Sequence, residues 1–261
     1  IVARVDRLGA TDRAAIHAAA VLGQRFDIAA LRAVVVDPAY AADRLLQAGL
    51  LRADGVELVF AHALICEAVQ RSLLAQPRRV LHGRAAAWFA GRDPILRALH
   101  LDRAESPEAA DAYRVAAEDR LQRYRPAEAL PLVARGLELA EEPASRAALL
   151  LLKGDVLLDG GRAREALAAY QEMLQVGGDD RSRSLALLGS ASARRILDDL
   201  PTALDDVAAA ALQQLLRTAR HVLHQALYLV GHDLAPLRNQ LVGSTFSNCI
   251  RLLRTSIGWY A

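Results

Sequence analysis

One histidine occupies a position from which it could do chemistry. His62 lies in the stretch FAHALICEAVQRSLL, residues 60–74, which starts with the pattern of a β-strand and continues with the period of a helix. A side chain at the start of a helix lies beside unpaired N–H groups and the positive end of the helix dipole, which favour an anion such as a phosphate. The alternative is that His62 covers the apolar layer of Ile65, Val69 and Leu73 and bonds a nearby carbonyl group. The sequence leaves both interpretations open.

A catalytic set is not apparent around this histidine or elsewhere. Glu67 could be paired with His62 or Cys66, but it points away from the apolar face of the predicted helix, and no glycine-rich elbow or oxyanion donor accompanies it. A phosphate-binding P-loop needs a glycine-rich run before a lysine, whereas Lys153 is followed by Gly154 inside a predicted helix. The sequence therefore predicts no enzyme active site in this chain.

A metal site is also not predicted. His221, His224 and His232 are close in sequence, but no carboxylate or cysteine stands at ligand spacing near them. We interpret them as scattered surface histidines. Cys66 and Cys249 lie far apart and share no motif spacing, which argues against a disulfide framework or a zinc site and favours a reducing cytosol.

Composition and charge set bounds but name no partner. The chain has 261 residues, 32 basic and 30 acidic, with a net charge of +2, and Lys153 is its single lysine beside 31 arginines. This mixture is typical of a globular protein of one large or two modest domains. No apolar run approaches the roughly 18 residues of a membrane helix, and the first residues have neither an initiator methionine nor a signal-peptide pattern. We expect a cytoplasmic protein without a membrane segment, and a chain that is a piece of something longer.

Three dipeptides of a short polar residue followed by proline predict helix starts. The polar side chain caps the first turn, and proline is tolerated at the first helical position because its missing N–H would have no partner there. The three are Asp37-Pro38, Asp93-Pro94 and Ser106-Pro107.

The first third of the chain has the outline of a winged helix. We predict helices over residues 12–22, from Phe26-Asp27 to Val35, and over residues 38–49. The stretch LLRADGVELVF then predicts two short strands around Asp54-Gly55, a dipeptide that suits a two-residue hairpin turn. With the helix after His62, three helices, one β-hairpin and a further helix predict a winged-helix-like coupling domain over residues 1–92.

From residue 93 onward the sequence predicts helices that repeat. An alanine followed by a leucine recurs at an interval of 37 residues, and no strand pattern interrupts it. We therefore expect helical repeats over residues 93–206. The paired positions are Ala129-Leu130, Ala166-Leu167 and Ala203-Leu204.

The middle unit, LLLLKGDVLLDGGRAREALAAYQEMLQ, resembles the tetratricopeptide repeat. The resemblance places Gly154 where the first helix packs closely, Gly161 in the turn, Ala166 at the tight crossing and Tyr170 in the second helix. Antiparallel helices approach closely only where side chains are small, and a large aromatic then fills the space toward the next pair. Alanine-rich helical hairpins outside that family remain the alternative.

The first and third units are degenerate by comparison. Tyr124 and Asp198 stand in place of the turn glycine, and Val133 and Val207 in place of the aromatic residue. The interval of 37 residues is also slightly longer than the roughly 34 of tetratricopeptide repeats. The expected fold class is mainly α: a small winged-helix domain followed by an α-helical, tetratricopeptide-like solenoid.

Residues 207–261 differ from the rest in charge. They contain five arginines and one acidic residue, and the next expected alanine-leucine pair would fall at Gln240-Leu241, where only the leucine is present. We predict a basic helical segment. A tail that meets a partner, an interrupted repeat and a stretch read in another frame are all compatible with it.

A winged helix can bind DNA, but this one is a poor candidate. The third predicted helix offers Arg44 alone, set against Asp37 and Asp43, and lacks polar groups for base edges. The wing, RADGVE, is no more basic than acidic. DNA is therefore an unlikely partner.

The order of several segments is similar to a known family. RVDRLGATDRAAIHAAAVLGQRFD, LLQAGLLR, VFAHALICEAVQRSLL and RRVLHGRAAAWFA, within residues 4–142, resemble the region that follows the nucleotide-binding module of bacterial STAND-type regulatory ATPases. The resemblance implies a winged helix that leads into tetratricopeptide-like repeats. It also implies that His62 contacts the phosphate of ATP or ADP bound in an upstream domain and helps to hold the ADP-bound state. His62 also looks like the histidine of the Met-His-Asp motif of immune-receptor ATPases, and Ala63 stands where that motif has its acidic residue.

These observations predict a non-catalytic regulatory part of a signal-transduction ATPase. A protein or peptide partner on the repeats would shift the winged helix and release nucleotide contacts in the upstream domain. A free-standing repeat scaffold for protein interaction is the alternative, and a DNA-binding transcriptional regulator is the third. No cofactor is expected in this chain itself.

Overall fold

The computed structural model is mainly helical and contains one small antiparallel sheet. It describes residue 5 and residues 7–229, and for residues 222–229 the backbone alone. In chain order the elements are α1 (Ala10–Leu22), β1 (Arg25–Asp27), α2 (Ile28–Val35), α3 (Asp43–Gln47), β2 (Leu51–Asp54), β3 (Glu57–Phe60), α4 (Ala63–Ser72), α5 (Ala75–Phe89), α6 (Pro94–Arg103), α7 (Ala109–Gln122), α8 (Pro126–Leu139), α9 (Pro143–Asp159), α10 (Ala163–Val176), α11 (Asp180–Ile196) and α12 (Leu200–Leu229).

The first core lies between α1, α2, α4 and the sheet. Each of these elements contributes apolar side chains that are removed from water, which is the main driving force for their association. Phe26 of β1 and Phe60 of β3 meet edge to face, with ring centroids 6.1 Å apart. The largest fully buried side chains of this core are Ile16, Leu31, Leu45, Leu50, Leu51, Phe60 and Ile65.

The predicted hairpin is confirmed. Strands β2 and β3 pair in antiparallel register from Leu51 opposite Phe60 to Asp54 opposite Glu57. Gly55 supplies the positive φ, 64°, that the two-residue loop needs. The chain therefore passes from β3, the second strand of the hairpin, directly to His62 and α4.

The predicted start of the second helix at Phe26 is wrong, because Phe26 belongs to a third strand. β1 pairs with β3, and Phe26 lies opposite Leu58, so the strand order is β1-β3-β2. The helix begins only at Ile28, where the Asp27 carboxylate accepts a hydrogen bond from the Ala29 amide at 2.8 Å. A three-residue strand is too short to show a period in sequence, and Asp27 is the N-cap of the helix, one residue before its start.

The Asp37-Pro38 dipeptide begins a turn and not a helix, so the predicted helix over residues 38–49 is shorter than expected. The Asp37 carboxylate accepts from the Ala39 amide at 3.0 Å, and the Asp37 carbonyl accepts from the Tyr40 amide at 3.2 Å. Arg32 then holds the Tyr40 carbonyl at 2.9 Å, which fixes the turn. Helix α3 starts at Asp43 and has five residues.

The other two predicted starts are closer to the structure. Asp93 caps α6 by accepting from the amides of Ile95 and Leu96 at 2.9 and 3.0 Å. Ser106 accepts from the Glu108 amide at 3.3 Å, and α7 begins one residue later, at Ala109.

From α5 to α12, each described helix packs against the next one in the chain. The interior is divided into overlapping apolar clusters: one between α5 and α8, one between α7 and α9, and one that joins α9, α10 and α11. Contacts confined to near neighbours in sequence are typical of a quasi-one-dimensional helical array.

Three connections in this array, α7–α8, α9–α10 and α11–α12, share one backbone geometry. Tyr124, Gly161 and Asp198 have φ values of 56°, 74° and 61°, at intervals of 37 residues. At each site the amide of the left-handed residue donates to the carbonyl three positions earlier, and the next amide donates to the carbonyl five positions before it. This is the Schellman cap that ends a helix. The period predicted from alanine and leucine is therefore also a structural period of the turns.

The last described helix departs from this period. α8 and α10 have 14 residues each, but α12 runs for 30 residues from Leu200 to Leu229. The part of the predicted basic segment within residues 207–229 is helical, and residues 230–261 lie outside the described residues, as does the Gln240-Leu241 pair.

Candidate functional site

The structure places His62 at the N-terminal boundary of α4, as its position after β3 predicts. His62 has extended backbone angles, φ −144° and ψ 141°, and its side chain makes no capping hydrogen bond to the helix. The residue is exposed, together with Ala63 and Leu64, which follow it. Its carbonyl accepts from the Ile65 amide at 2.9 Å, so the main chain is already turned into the helix. His62 and the first two residues of α4 are therefore accessible to solvent at the N-terminal end of this helix.

The position of this histidine is fixed by the elements around it. Gln70 Nε2, two turns further along α4, donates to the Ala20 carbonyl at 2.6 Å and ties α4 to α1. Ile65 and Val69 are buried in the first core, 2% exposed each. On the other side, the Ala61 amide donates to the Leu50 carbonyl at 3.0 Å, which anchors the chain just before His62. An exposed side chain on such a rigid base is suited to contact a partner surface.

His62 is exposed, and both interpretations of it, as a contact for a phosphate and as the cover of the apolar layer of α4, stay predictions. The three residues considered for a catalytic set do not converge. Cys66 is buried against α1, where burial raises the pKa of its thiol, and its sulfur lies 3.9 Å from the Ala20 carbonyl. Glu67 is exposed and lies 3.8 Å from Arg71.

Within the described residues no group of three or more histidine, cysteine, aspartate or glutamate side chains is arranged to hold a metal ion. Of the three histidines considered for such a site, His221 is exposed on α12, the side chain of His224 is not described, and His232 lies outside the described residues.

The residues predicted to pack the repeats divide into two groups. Ala129, Ala166 and Tyr170 are fully buried, and Ala203 is 7% exposed. Leu130 and Leu167 are half-buried, whereas Leu204 is 70% exposed. The third unit thus lacks the cover that the first two have.

Tyr170 is the central side chain of the second unit. Its ring lies between two glycines, Gly154 of α9 and Gly189 of α11, and a Cβ atom at either position would overlap the ring. Its hydroxyl donates to Asp155 at 2.7 Å, and burial, then this hydrogen bond, raise the pKa of Tyr170. The close approach at Gly154 agrees with the sequence interpretation. Gly189 was missed, because it lies 35 and not 37 residues after Gly154.

A groove lies on the surface formed by α8, α9 and α10. Its cavity volume is about 300 Å³, with an apolar floor that includes Leu130, Ala134 and Leu157. Lys153 lies at its rim, and the rim acid Glu165 is paired with Arg162 at 2.5 Å. The single lysine of the chain therefore borders an apolar depression in the repeat region.

A pair of buried histidines joins α5 to α6, and no sequence pattern predicts it. The Nδ1 atoms of His82 and His100 lie 2.9 Å apart, and the side chains are 5% and 2% exposed. Phe89 stacks on His100 with ring centroids 5.4 Å apart. Burial, followed by the charge that His100 would carry and by the positive charges of Arg103 and Arg78, lowers the pKa of His82 to about 3. Burial and Arg103 lower the pKa of His100 to about 4. Both rings are neutral at pH 7, so one can donate to the other.

One further polar cluster holds α6, α7 and α8 together. Arg135 binds both carboxylate oxygens of Asp102 at 2.8 and 2.9 Å, and the Tyr113 hydroxyl donates to Asp102 at 3.0 Å. The hydrogen bond from Arg135 is the main cause that lowers the pKa of Asp102. These groups satisfy one another, so we assign them a structural role.

Comparisons of this chain with family models, with curated proteins and with solved structures found no match. In the part of the chain that the structure describes, no helix is both long and apolar enough to cross a membrane.

Proposed function

We propose that this chain is a non-catalytic regulatory region of a cytoplasmic STAND-type signalling ATPase, which couples partner binding on helical repeats to a nucleotide switch in an upstream domain. The observation that carries the proposal is the exposed His62 at the start of α4, on a base fixed by the first core. An imidazole beside unpaired helix N–H groups can contact the phosphate of ADP or ATP held by a neighbouring domain.

The region up to α5 takes the role of a winged helix in this proposal. Three helices, a hairpin that forms the wing, and a further helix follow the expected order, and β1 adds the third strand to the wing's sheet. DNA recognition has little support, because α3 has only five residues and Arg44 is its single cation. The acids of the wing, Asp54 and Glu57, are bound by Arg25 at 2.5 and 2.8 Å.

The helices after α6 take the role of tetratricopeptide-like repeats. The support is the interval of 37 residues between identical caps and the burial of Tyr170 between the glycines of adjacent units. The groove beside Lys153 is the place where we expect a protein or peptide partner to bind, through an apolar side chain on its floor.

The coupling mechanism runs through α5. This helix contributes Ala85 to the first core and Ala86 to the next apolar cluster. A partner that shifts the helices of the array therefore also shifts the base on which α4 and His62 rest. An upstream nucleotide held by His62 would be retained in one arrangement and released in the other.

Replacing His62 with alanine in the full-length protein tests the proposal. We expect ADP to dissociate several-fold faster and basal output to rise, because the phosphate loses one contact made only in the inactive state. The measurements are the dissociation rate of a fluorescent ADP analogue and the output activity of the full-length protein.

His221→Ala is the matched control, since it removes another exposed histidine far along the chain. It should leave ADP dissociation unchanged. Equal ADP dissociation rates in the wild type and His62→Ala would contradict the proposed role of His62.

A free-standing interaction scaffold is the second candidate, and the groove beside Lys153 is the observation that favours it. The coding sequence upstream of Ile1 separates the two. A strand, glycine-rich loop and helix with the phosphate-binding pattern Gly-x-x-x-x-Gly-Lys-Ser/Thr supports the ATPase, and its absence supports the scaffold.

A further inference from the structure

One residue in the groove beside Lys153 differs in chemistry from its equivalents in the neighbouring repeats. Each repeat unit is a pair of helices: α7 and α8, α9 and α10, α11 and α12. Arg120, Leu157 and Arg194 are 37 residues apart, and each lies four residues before the residue with positive φ that follows the first helix of its unit. The side chains of Arg120 and Arg194 are only 15% and 18% exposed, and Leu157 is buried. The three residues therefore occupy one equivalent place in successive units.

In both neighbouring units the arginine pairs with an acid of the second helix. Arg120 lies 3.5 Å from Glu128 of α8, and Arg194 lies 2.9 Å from Asp206 of α12. A charged group that is removed from most of its water needs such a partner. In the first and third units, this place thus holds a cation of the first helix bound to a carboxylate of the second helix.

The second unit lacks this ion pair. Leu157 carries no charge, and the cation that the first helix brings to the groove is Lys153, one turn earlier on α9. Lys153 is half-buried. The cation of the second unit is thus also partly removed from water, and it needs an acid as the arginines of the other units do.

The two acids that line the groove are held by other residues. Glu165 pairs with Arg162 at 2.5 Å. Glu172 pairs with Arg146 at 2.8 Å. The hydrogen bond from Arg162 is the main cause that lowers the pKa of Glu165, and the charge of Lys153 contributes less. Three cations against two acids leave one positive charge around the groove, and Lys153 carries it.

The same groove also lacks bulk. A leucine side chain is shorter than an arginine side chain, and the groove that Leu157 lines is a cavity of about 300 Å³ with Leu130 and Ala134 on its apolar floor. In the neighbouring units the arginine supplies both a charge and an apolar stem at this place. The groove of the second unit can therefore accept a carboxylate and an apolar group side by side.

We propose that this groove binds a protein segment that brings an aspartate or glutamate side chain to Lys153 and an adjacent apolar side chain to the floor. The acid takes the part that Glu128 and Asp206 have in the other units. The proposal rests on the proposed function, in which a protein partner binds the repeats, and adds the chemistry of that partner. Because the ammonium group is half-buried, the carboxylate supplies affinity and the groove selects against basic segments.

The test uses peptides that the full chain of 261 residues selects from a random library displayed on phage. We expect the selected peptides to share an acidic residue next to an apolar one. Changing that acid to its amide should weaken binding to the wild type about five- to tenfold in fluorescence anisotropy. The same change should have little effect on binding to Lys153→Met, which has no charge to pair. Arg164→Met is the matched control and should behave as the wild type, since Arg164 is an exposed cation of α10 that does not line the groove.

Leu157→Arg tests the groove itself, because it restores the residue of the neighbouring units and should abolish binding. Circular dichroism checks its fold, and Ala168→Trp, at an exposed position of the groove, replaces it if it is unfolded. Peptides that Leu157→Arg fails to bind, but that carry no acid or bind Lys153→Met as well as the wild type, overturn the proposal and leave the groove as the partner site. A selection without peptides, or peptides that Leu157→Arg binds as well as the wild type, overturn the partner site too. The ADP measurement on His62→Ala is independent of these results.

Discussion

Tyr124, Gly161 and Asp198 occupy the same turn in successive repeats, but only one of them is suited to it. All three have positive φ values, and a residue with a Cβ atom pays about 1 kcal/mol or more for that conformation. Burial of the Tyr124 side chain does not offset this conformational cost, because the residue is 93% exposed. Aspartate tolerates the conformation better than tyrosine, since it can bond its own backbone.

Replacing Tyr124 with glycine should therefore stabilise the protein. We expect a gain of about 0.5–1 kcal/mol in the free energy of unfolding, after the greater freedom of glycine in the unfolded chain is subtracted. Tyr124→Ala is the control, because it removes the same ring but keeps the Cβ atom. Urea denaturation measures both, and an equal gain in the alanine variant would show that the ring and not the φ angle is responsible.

The residues that define these turns could be predicted from sequence only where glycine marked them. Gly161 itself indicates a turn, whereas Tyr124 and Asp198 could be assigned to equivalent turns only from the 37-residue interval that separates each of them from Gly161. His82 and His100 could not be predicted as a pair, because they are 18 residues apart on different helices and only the packing of α5 on α6 brings them together. Likewise His62 was placed correctly by local pattern, but its exposure depends on how α4 packs against α1.

At the level of elements, the close contacts of α9, α10 and α11 depend on matched side-chain sizes. Tyr170 fills the space left by Gly154 and Gly189, and its hydroxyl is held by Asp155, so the ring cannot move aside easily.

A double-mutant cycle should reveal this matching. In the wild type, Gly189→Ala should destabilise by about 1–3 kcal/mol through overpacking, although alanine is the better helix former. In a Tyr170→Leu background, the same substitution should cost little or become stabilising, because the ring is gone. Thermal or urea unfolding of the four proteins gives the coupling energy.

Gly83→Ala provides the comparison for helix propensity alone. Gly83 lies within α5, and a Cβ atom there would meet nothing within 4 Å. It should stabilise by up to about 1 kcal/mol. Similar effects of the alanine substitutions at Gly83 and Gly189 would mean that Tyr170 does not restrict α11.

The boundaries of short elements were the part of the fold least accessible from sequence. The alternation around Asp54-Gly55 gave the hairpin, but β1 has three residues and forms only because Phe26 can pair with Leu58. Asp37-Pro38 has the chemistry of a helix start, and the Arg32 contact to Tyr40 turns it into a loop instead. The length of α12 agrees with the absence of glycine and proline between Pro201 and Leu229.

At the scale of the whole molecule, α5 belongs to two cores. It faces the sheet-bearing first core through Ala85 and the helical array through Ala86. The boundary predicted between residues 92 and 93 stays a prediction, but the buried contact of His82 with His100 shows that α5 and α6 share an interior. A perturbation of this contact should therefore change the stability of the whole protein.

A fall in pH should perturb this contact, because it favours the protonated form of both histidines. The pKa values of His82 and His100 in the folded protein, about 3 and about 4, lie below the 6.5 of an unperturbed histidine. The unfolded chain therefore binds protons first, so the full stability is present above pH 6.5 and is lost as the pH falls toward these folded values. Between pH 7 and pH 5 each histidine should cost up to about 2 kcal/mol, whereas the carboxylate of Asp102, with its lowered pKa, stays ionised in this window.

We expect His82→Gln to lose about half of the pH dependence of the wild type over that window, because one of the two buried titrating rings is gone. Urea denaturation at pH 7 and pH 5 measures the change for each protein. His62→Gln is the control, because it removes a histidine that lies outside the contact between α5 and α6, and its loss of stability between the two pH values should match that of the wild type. Equal losses of stability in His82→Gln and the wild type between the two pH values would contradict the prediction, because the contact between His82 and His100 would then not cause the sensitivity to acid.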